Sequence, residues 1–144
     1  MLCAPYDGRL WSVLGRVIVV AGEDPALEGV AAGAVAAGAS VAVVSRTLPG
    51  DVPATVRFRA DPADRGVWDR VAMHVEQHLG PVDGVATDAG HRSVIDAVFG
   101  ADLARRGHGT IVTADGEPAD ALLTRLRGTP PATPVRPAAG DRDR

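Results

Sequence analysis

The 144-residue sequence predicts a three-layer α/β domain built on a mainly parallel five-stranded sheet of order 3-2-1-4-5. Three observations carry this. Arg16-Val17-Ile18-Val19-Val20-Ala21 and Ser40-Val41-Ala42-Val43-Val44 are short β-branched runs, apolar enough to be buried on both faces, as strands of a parallel sheet are. Between them Ala26–Ala37 is a small-sided helical stretch, the length of a crossover. Shorter apolar runs and helical patterns then alternate down the chain.

Taken in order, residues 1–14 form an extension with Trp11 and Leu14 as candidate anchors, and residues 15–127 form the domain. Gly22-Glu23 ends the first strand, Asp24-Pro25 supplies an N-cap and a first-turn proline, and Gly38 is placed for a left-handed stop. Thr47–Thr55 holds Pro49, Gly50 and Pro53 and reads as a loop; Val56-Arg57-Phe58-Arg59 alternates as an edge strand. Asp61-Pro62 repeats the cap-and-proline signal, opening a helix to about Leu79 with Val67, Val71, Val75 and Leu79 on one face. Asp83–Thr87 is the fourth strand. Ser93–Arg106 is helical, with Ile95, Val98, Phe99 and Leu103 inward and Arg105-Arg106 in the last turn, where cations suit the helix dipole. Gly109–Thr113 is the fifth strand and Pro118–Arg127 the last helix. The tail, residues 128–144, is rich in proline and charge and is expected to be disordered.

Bulk composition excludes several classes. Hydrophobic residues make up 46% and aromatics 3%, so alanine and valine must fill the core. The formal charge is -3 with no basic patch, which argues against nucleic acid. All 15 basic residues are arginine, so lysine chemistry is absent. A single cysteine, Cys3, excludes an internal disulfide and fits a reducing compartment. No apolar run has the length of a membrane span and residues 1–14 lack the order of a signal peptide, so the expected location is the cytoplasm. His74 and His78 lie one helical turn apart but lack a third ligand at sensible spacing, and read as a solvated face; His91 and His108 read as isolated loop residues, and no metal is expected.

Six landmarks in chain order resemble the short-chain dehydrogenase/reductase family, over about Gly15–Gly116. Gly15-Arg16-Val17-Ile18-Val19-Val20-Ala21-Gly22 is similar to its first strand and glycine-rich turn. Val43-Val44-Ser45-Arg46 resembles its second strand, with the arginine that NADP-preferring members place near the 2′-phosphate. Ala60-Asp61 resembles the strand-end aspartate that contacts adenine. Leu79-Gly80-Pro81-Val82-Asp83-Gly84-Val85 resembles the approach to the fourth strand. Thr87-Asp88-Ala89-Gly90 stands where members carry Asn-Asn-Ala-Gly, and Arg106-Gly107-His108-Gly109-Thr110-Ile111-Val112 leads into the fifth strand. The resemblance implies a Rossmann-like fold. If NADP binds, it implies a site made of Gly22, Arg46, Asp61, Ala89 and Gly90.

The departures point the other way. The family turn is Gly-x-x-x-Gly-x-Gly; after Gly22 its later positions are Ala26 and Glu28, so Glu23, Asp24 and Glu28 place three carboxylates about a pocket meant for a dianion. Asp24 caps the helix that a phosphate would otherwise cap. For Gly22 a plain strand-to-helix turn, for Arg46 a solvated loop arginine, for Asp61 a helix cap and for Asp88 a turn aspartate are the favoured readings. The family's catalytic Ser-Tyr-Lys set has no counterpart: the serine falls at Gly116, Tyr6 is the only tyrosine, and there is no lysine. The helix that should carry Tyr-x-x-x-Lys lies where the chain ends. No catalytic residue and no cofactor are therefore expected, NADP being the one the resemblance would imply. The expected role is a catalytically inactive subunit or scaffold acting through oligomerisation with itself or with an intact relative; the alternative is an NADP-binding oxidoreductase. Thin coverage after the fifth strand predicts an exposed apolar face on the Ser93–Arg106 and Pro118–Arg127 helices, near the interface.

Overall fold

Five β-branched or alanine-rich segments place their side chains alternately on two faces, and a helix pair covers each face. The computed structural model describes residues 13–107 and 109–127. The strands are β1 (Val17–Ala21), β2 (Ser40–Ser45), β3 (Val56–Arg59), β4 (Gly84–Asp88) and β5 (Thr110–Ala114). They form one sheet of order β3-β2-β1-β4-β5, with every neighbouring pair parallel. The helices are α1 (Ala26–Ala36), α2 (Arg65–His78), α3 (Arg92–Ile95), α4 (Ala101–Arg106) and α5 (Ala119–Leu126). The calls on Trp11, Cys3, His108 and the tail lie outside the described residues.

On one face Ile18, Val20, Val41, Val43 and Ala86 meet Leu27, Val30, Ala31 and Ala34 of α1 and Leu122, Leu123 and Leu126 of α5. On the other face Val19, Ala21, Ala42, Val44 and Val85 meet Trp68, Val71 and Val75 of α2, with Ile95, Phe99 and Leu103. Trp68 packs edge-on against Phe99, ring centroids 5.4 Å apart. Its indole N–H donates to the Pro62 carbonyl at 2.8 Å, so the buried donor is satisfied.

Three local expectations need correction. The cap of α2 is Asp64, whose carboxylate accepts the Gly66 N–H at 2.9 Å; Asp61 instead accepts from Ala63 N–H at 2.9 Å in the preceding turn. The expected Ser93–Arg106 helix begins with a 3-10 turn at Ala89–His91, and α3 is joined to α4 by a π-helical segment, Asp96–Gly100. The wider turn keeps Ile95, Phe99 and Leu103 all buried, 0%, 5% and 7% exposed.

The third correction concerns the apolar helix faces. Leu122 and Leu126 are 0% and 1% exposed, and the exposed large apolar residues among those described are Leu14 and Met73. Small residues on α1 allow this closure. A Cβ built on Gly29 would lie 2.6 Å from the Cβ of Ala119, so α5 approaches α1 more closely than side chains there would permit. Neither α3–α4 nor α5 leaves the expected apolar face open.

Candidate functional site

In an open parallel sheet the binding crevice lies beyond the carboxyl ends of the strands, where the strand order reverses. Here that point lies between β1 and β4. Around it stand Gly22 and Glu23 after β1, Ser45, Arg46 and Thr47 at the end of β2, and Asp88, Ala89, Gly90 and His91 at the end of β4.

Glu23 is turned toward β2. Its Oε1 accepts from the Ser45 hydroxyl at 2.7 Å, from the Thr47 N–H at 2.9 Å and from the Thr47 hydroxyl; its Oε2 accepts from the Arg46 N–H at 3.1 Å. Partial burial alone would raise its pKa. The hydrogen bonds from Ser45, Thr47 and the two backbone amides outweigh that and lower it from 4.5 to about 2. The end of β2 is where Rossmann-type sites hold the ribose of a dinucleotide. In this chain the donors there are taken by the chain's own carboxylate.

The β1–α1 turn is closed in the same manner. Gly22 N–H donates to the Val44 carbonyl at 3.1 Å and Glu23 N–H to Asp88 Oδ2 at 2.8 Å. Ala26 N–H donates to Asp24 Oδ1 at 2.9 Å, and the N–H groups of Leu27 and Glu28 donate to the carbonyls of Asp24 and Pro25. The amides that would face a pyrophosphate at a helix N-terminus are therefore bonded within the chain. Gly22 sits at φ +144°, and a Cβ there would lie 2.5 Å from Asp88 Oδ2. The other oxygen of Asp88 pairs with His91 Nδ1 at 2.5 Å, so His91 is not the isolated loop residue its sequence position suggests. Next to this network Thr87 is fully buried, and its hydroxyl has no hydrogen-bond partner among the described residues.

The residues the resemblance implies lie along one rim, beyond the carboxyl ends of the strands. Gly22 faces the Asp88 carboxylate. Arg46 contributes its backbone: its N–H bonds Glu23 and its carbonyl accepts from Arg59 at 2.8 Å. Asp61 is occupied in its own turn, and Ala89 and Gly90 are exposed after β4. Of the three carboxylates expected to crowd a phosphate, Glu23 and Asp24 accept hydrogen bonds from the chain itself, while Glu28 is half-buried in the first turn of α1. The residues that sequence reasoning missed are Ser45 and Thr47 as the donors that hold Glu23, and Asp88 with His91 as the brace of the turn. Glu23 and Asp88 are thus bonded within the chain on the rim along which a dinucleotide lies in folds of this topology. His74 and His78 lie exposed on α2 with ring centroids 4.3 Å apart, and no group of three potential metal ligands occurs among the described residues.

The strand order and flanking helices define a Rossmann-like α/β domain. More particularly, it is the short-chain dehydrogenase/reductase fold. It is similar to a short chain dehydrogenase from Bacillus anthracis, with a TM-score of 0.59, 13% identity, and coverage of 75% of this chain and 60% of that one. It is also similar to NADH-dependent reductase A1-R′ complexed with NAD, with a TM-score of 0.53, 14% identity, and coverage of 82% and 69%. At these identities the likeness is one of fold, and the chain spans about 60% of the length of the Bacillus protein. No protein-family model and no curated protein sequence matches the chain. Among the described residues no helix is long and apolar enough to cross a membrane.

Proposed function

We propose that the chain is a catalytically silent short-chain-dehydrogenase-like subunit or scaffold, acting through association with itself or with an intact relative. The observation that carries this reading is the seat of Glu23. An acceptor supplied by the chain takes the ribose-side donors of the fold, and Asp88 braces the turn that would receive a pyrophosphate. A phosphate approaching Gly22 meets the Asp88 carboxylate, and a like-charge contact at about 4 Å costs about 1 kcal/mol in water and more where water is excluded. Gly116 stands where the family serine falls, which fits the same reading. The competing NADP-binding role requires Glu23 to leave Arg46 and Thr47 first.

Titration calorimetry with NADPH and NADH at neutral pH separates the two. The silent reading expects no saturable heat with either dinucleotide. Saturable binding in the micromolar range would establish the NADP-binding alternative in its place.

A further inference from the structure

A second concave surface lies between β3 and α2, and none of the rim residues described above lines it. It is a groove of about 420 Å³, in the size class of small-ligand clefts. Alternation along β3 turns Phe58 toward α2, where it is half-buried against the core of that face. Val67 and Val71 of α2 line the groove beside it. His74, one turn further along α2, meets the Phe58 ring edge-on at a centroid distance of 5.3 Å. The floor is therefore apolar and partly aromatic.

The border of the groove is cationic. Arg57, Arg59 and Arg70 lie along it, and no aspartate or glutamate does, in a chain where acidic residues outnumber arginines 18 to 15. Arg57 donates to the Val52 carbonyl through Nε and Nη2, at 3.0 and 2.6 Å, and Arg59 donates to the Arg46 carbonyl at 2.8 Å. A neutral carbonyl fixes a guanidinium without neutralising it. Arg70 has no hydrogen-bond or ion-pair partner among the described residues. A helix sets the residues three and four positions away beside an arginine, where an acidic side chain could pair with it. Around Arg70 these are Gly66, Val67, Met73 and His74, none of them acidic. The groove thus joins an aromatic floor to a cation whose counter-charge the chain does not supply.

We propose that this groove binds a small planar aromatic carboxylate, its ring against Phe58 and His74 and its carboxylate on Arg70. The guanidinium fork matches a carboxylate with two parallel hydrogen bonds, and the flat ring suits a floor of Phe58, Val67 and Val71. Arg57 and Arg59 add attraction from the strand side while remaining bonded to their carbonyls. The inference goes beyond the association reading and does not depend on it, because the groove and the seat of Glu23 share no residue.

Titration of the full chain with cinnamate, followed in amide NMR spectra, tests this, with cinnamyl alcohol as the neutral analogue. The expected result is saturable shifts at the amides of β3 and α2, with a Kd on the order of 100 µM for an aromatic acid of this size. The alcohol is expected to bind about tenfold more weakly, and the affinity for cinnamate to fall as salt rises. Arg70→Gln alters an exposed residue and is expected to weaken cinnamate about tenfold. Arg65→Gln, on the same helix but outside the groove, is expected to leave it unchanged. Phe58→Leu keeps apolar area without the ring and is expected to cost about threefold. Absence of saturable shifts, or equal affinity for acid and alcohol, would overturn the proposal. So would equal losses from Arg70→Gln and Arg65→Gln, which would mean diffuse attraction to the helix rather than a site. Shifts at the Glu23 and Thr47 amides in place of Phe58 and His74 would put the anion on the rim and overturn it equally. Dinucleotide binding would overturn the silent reading without touching this groove, whereas failure of cinnamate would remove the groove as a site and leave the seat of Glu23 as it is.

Discussion

Replacing Gly22 by alanine is expected to destabilise the protein by about 3 kcal/mol, among the largest effects of any single small substitution here. Two costs add. The residue sits at φ +144°, where an L side chain is strained. The new methyl would also lie 2.5 Å from Asp88 Oδ2, 2.8 Å from its Cγ and 3.0 Å from Leu27 Cδ1. Asp88 cannot simply rotate away, because it holds the Glu23 N–H and His91 at once. The turn must therefore open, which weakens the hold on Glu23 as well. Thermal melting should show a fall on the order of 10 °C. Gly50→Ala, where nothing lies within 4 Å of the added carbon, should leave the melting point nearly unchanged. Equal effects of the two substitutions would mean that the β1–α1 turn is not braced as described.

Glu23→Gln tests the chemistry of the seat itself. The amide keeps the shape but presents N–H groups where the Arg46 N–H needs an acceptor, and it removes the charge that four donors converge on. The carboxylate is stabilised in the folded state, with a pKa of about 2 against 4.5 in the unfolded chain. Because the folded value is the lower one, this contribution is fully present above about pH 4.5 and fades as pH falls toward 2. Undiscounted, such a shift corresponds to about 3 kcal/mol; solvent screening of a partly exposed group reduces it to about 1–2 kcal/mol. Urea unfolding at neutral pH should thus find Glu23→Gln weaker by about that amount. The gap should narrow steadily between pH 4.5 and 2. Parallel stability curves for the two proteins over that range would rule out the seat as a source of stability.

The strands were legible in the sequence because burial on both faces demands continuous β-branched runs, and Val56–Arg59 could be bounded to the residue by its alternation. The sheet order was that of the doubly-wound fold which the strand–helix alternation and the family resemblance imply. Helix starts were less legible: Asp61 and Asp64 both carry cap chemistry within one turn, and local preference cannot tell which carboxylate takes the helix amide. The small residues of α1 read as mere composition, so the closure of α5 over Gly29, and with it the burial of Leu122 and Leu126, went unforeseen.

The acids of the first crossover were visible, but the direction of Glu23 was not. Its partners lie 22 to 24 residues away at the end of β2, and Asp88 lies 65 residues from the amide it accepts. Such pairings are fixed by the parallel register, which places the ends of β1, β2 and β4 on one rim, and no local pattern encodes them. The sequence could predict that a phosphate would meet negative charge. Only the three-dimensional arrangement places the Glu23 carboxylate on the Ser45 hydroxyl and the Arg46 and Thr47 amides.

The measurement closest to the central claim is an NMR titration of the Glu23 carboxyl carbon, followed alongside the Arg46 and Thr47 amides. The account predicts a midpoint near 2, with both amide resonances moving together with it. A midpoint near 4.5, with those amides indifferent to it, would show that the carboxylate does not sit on the end of β2.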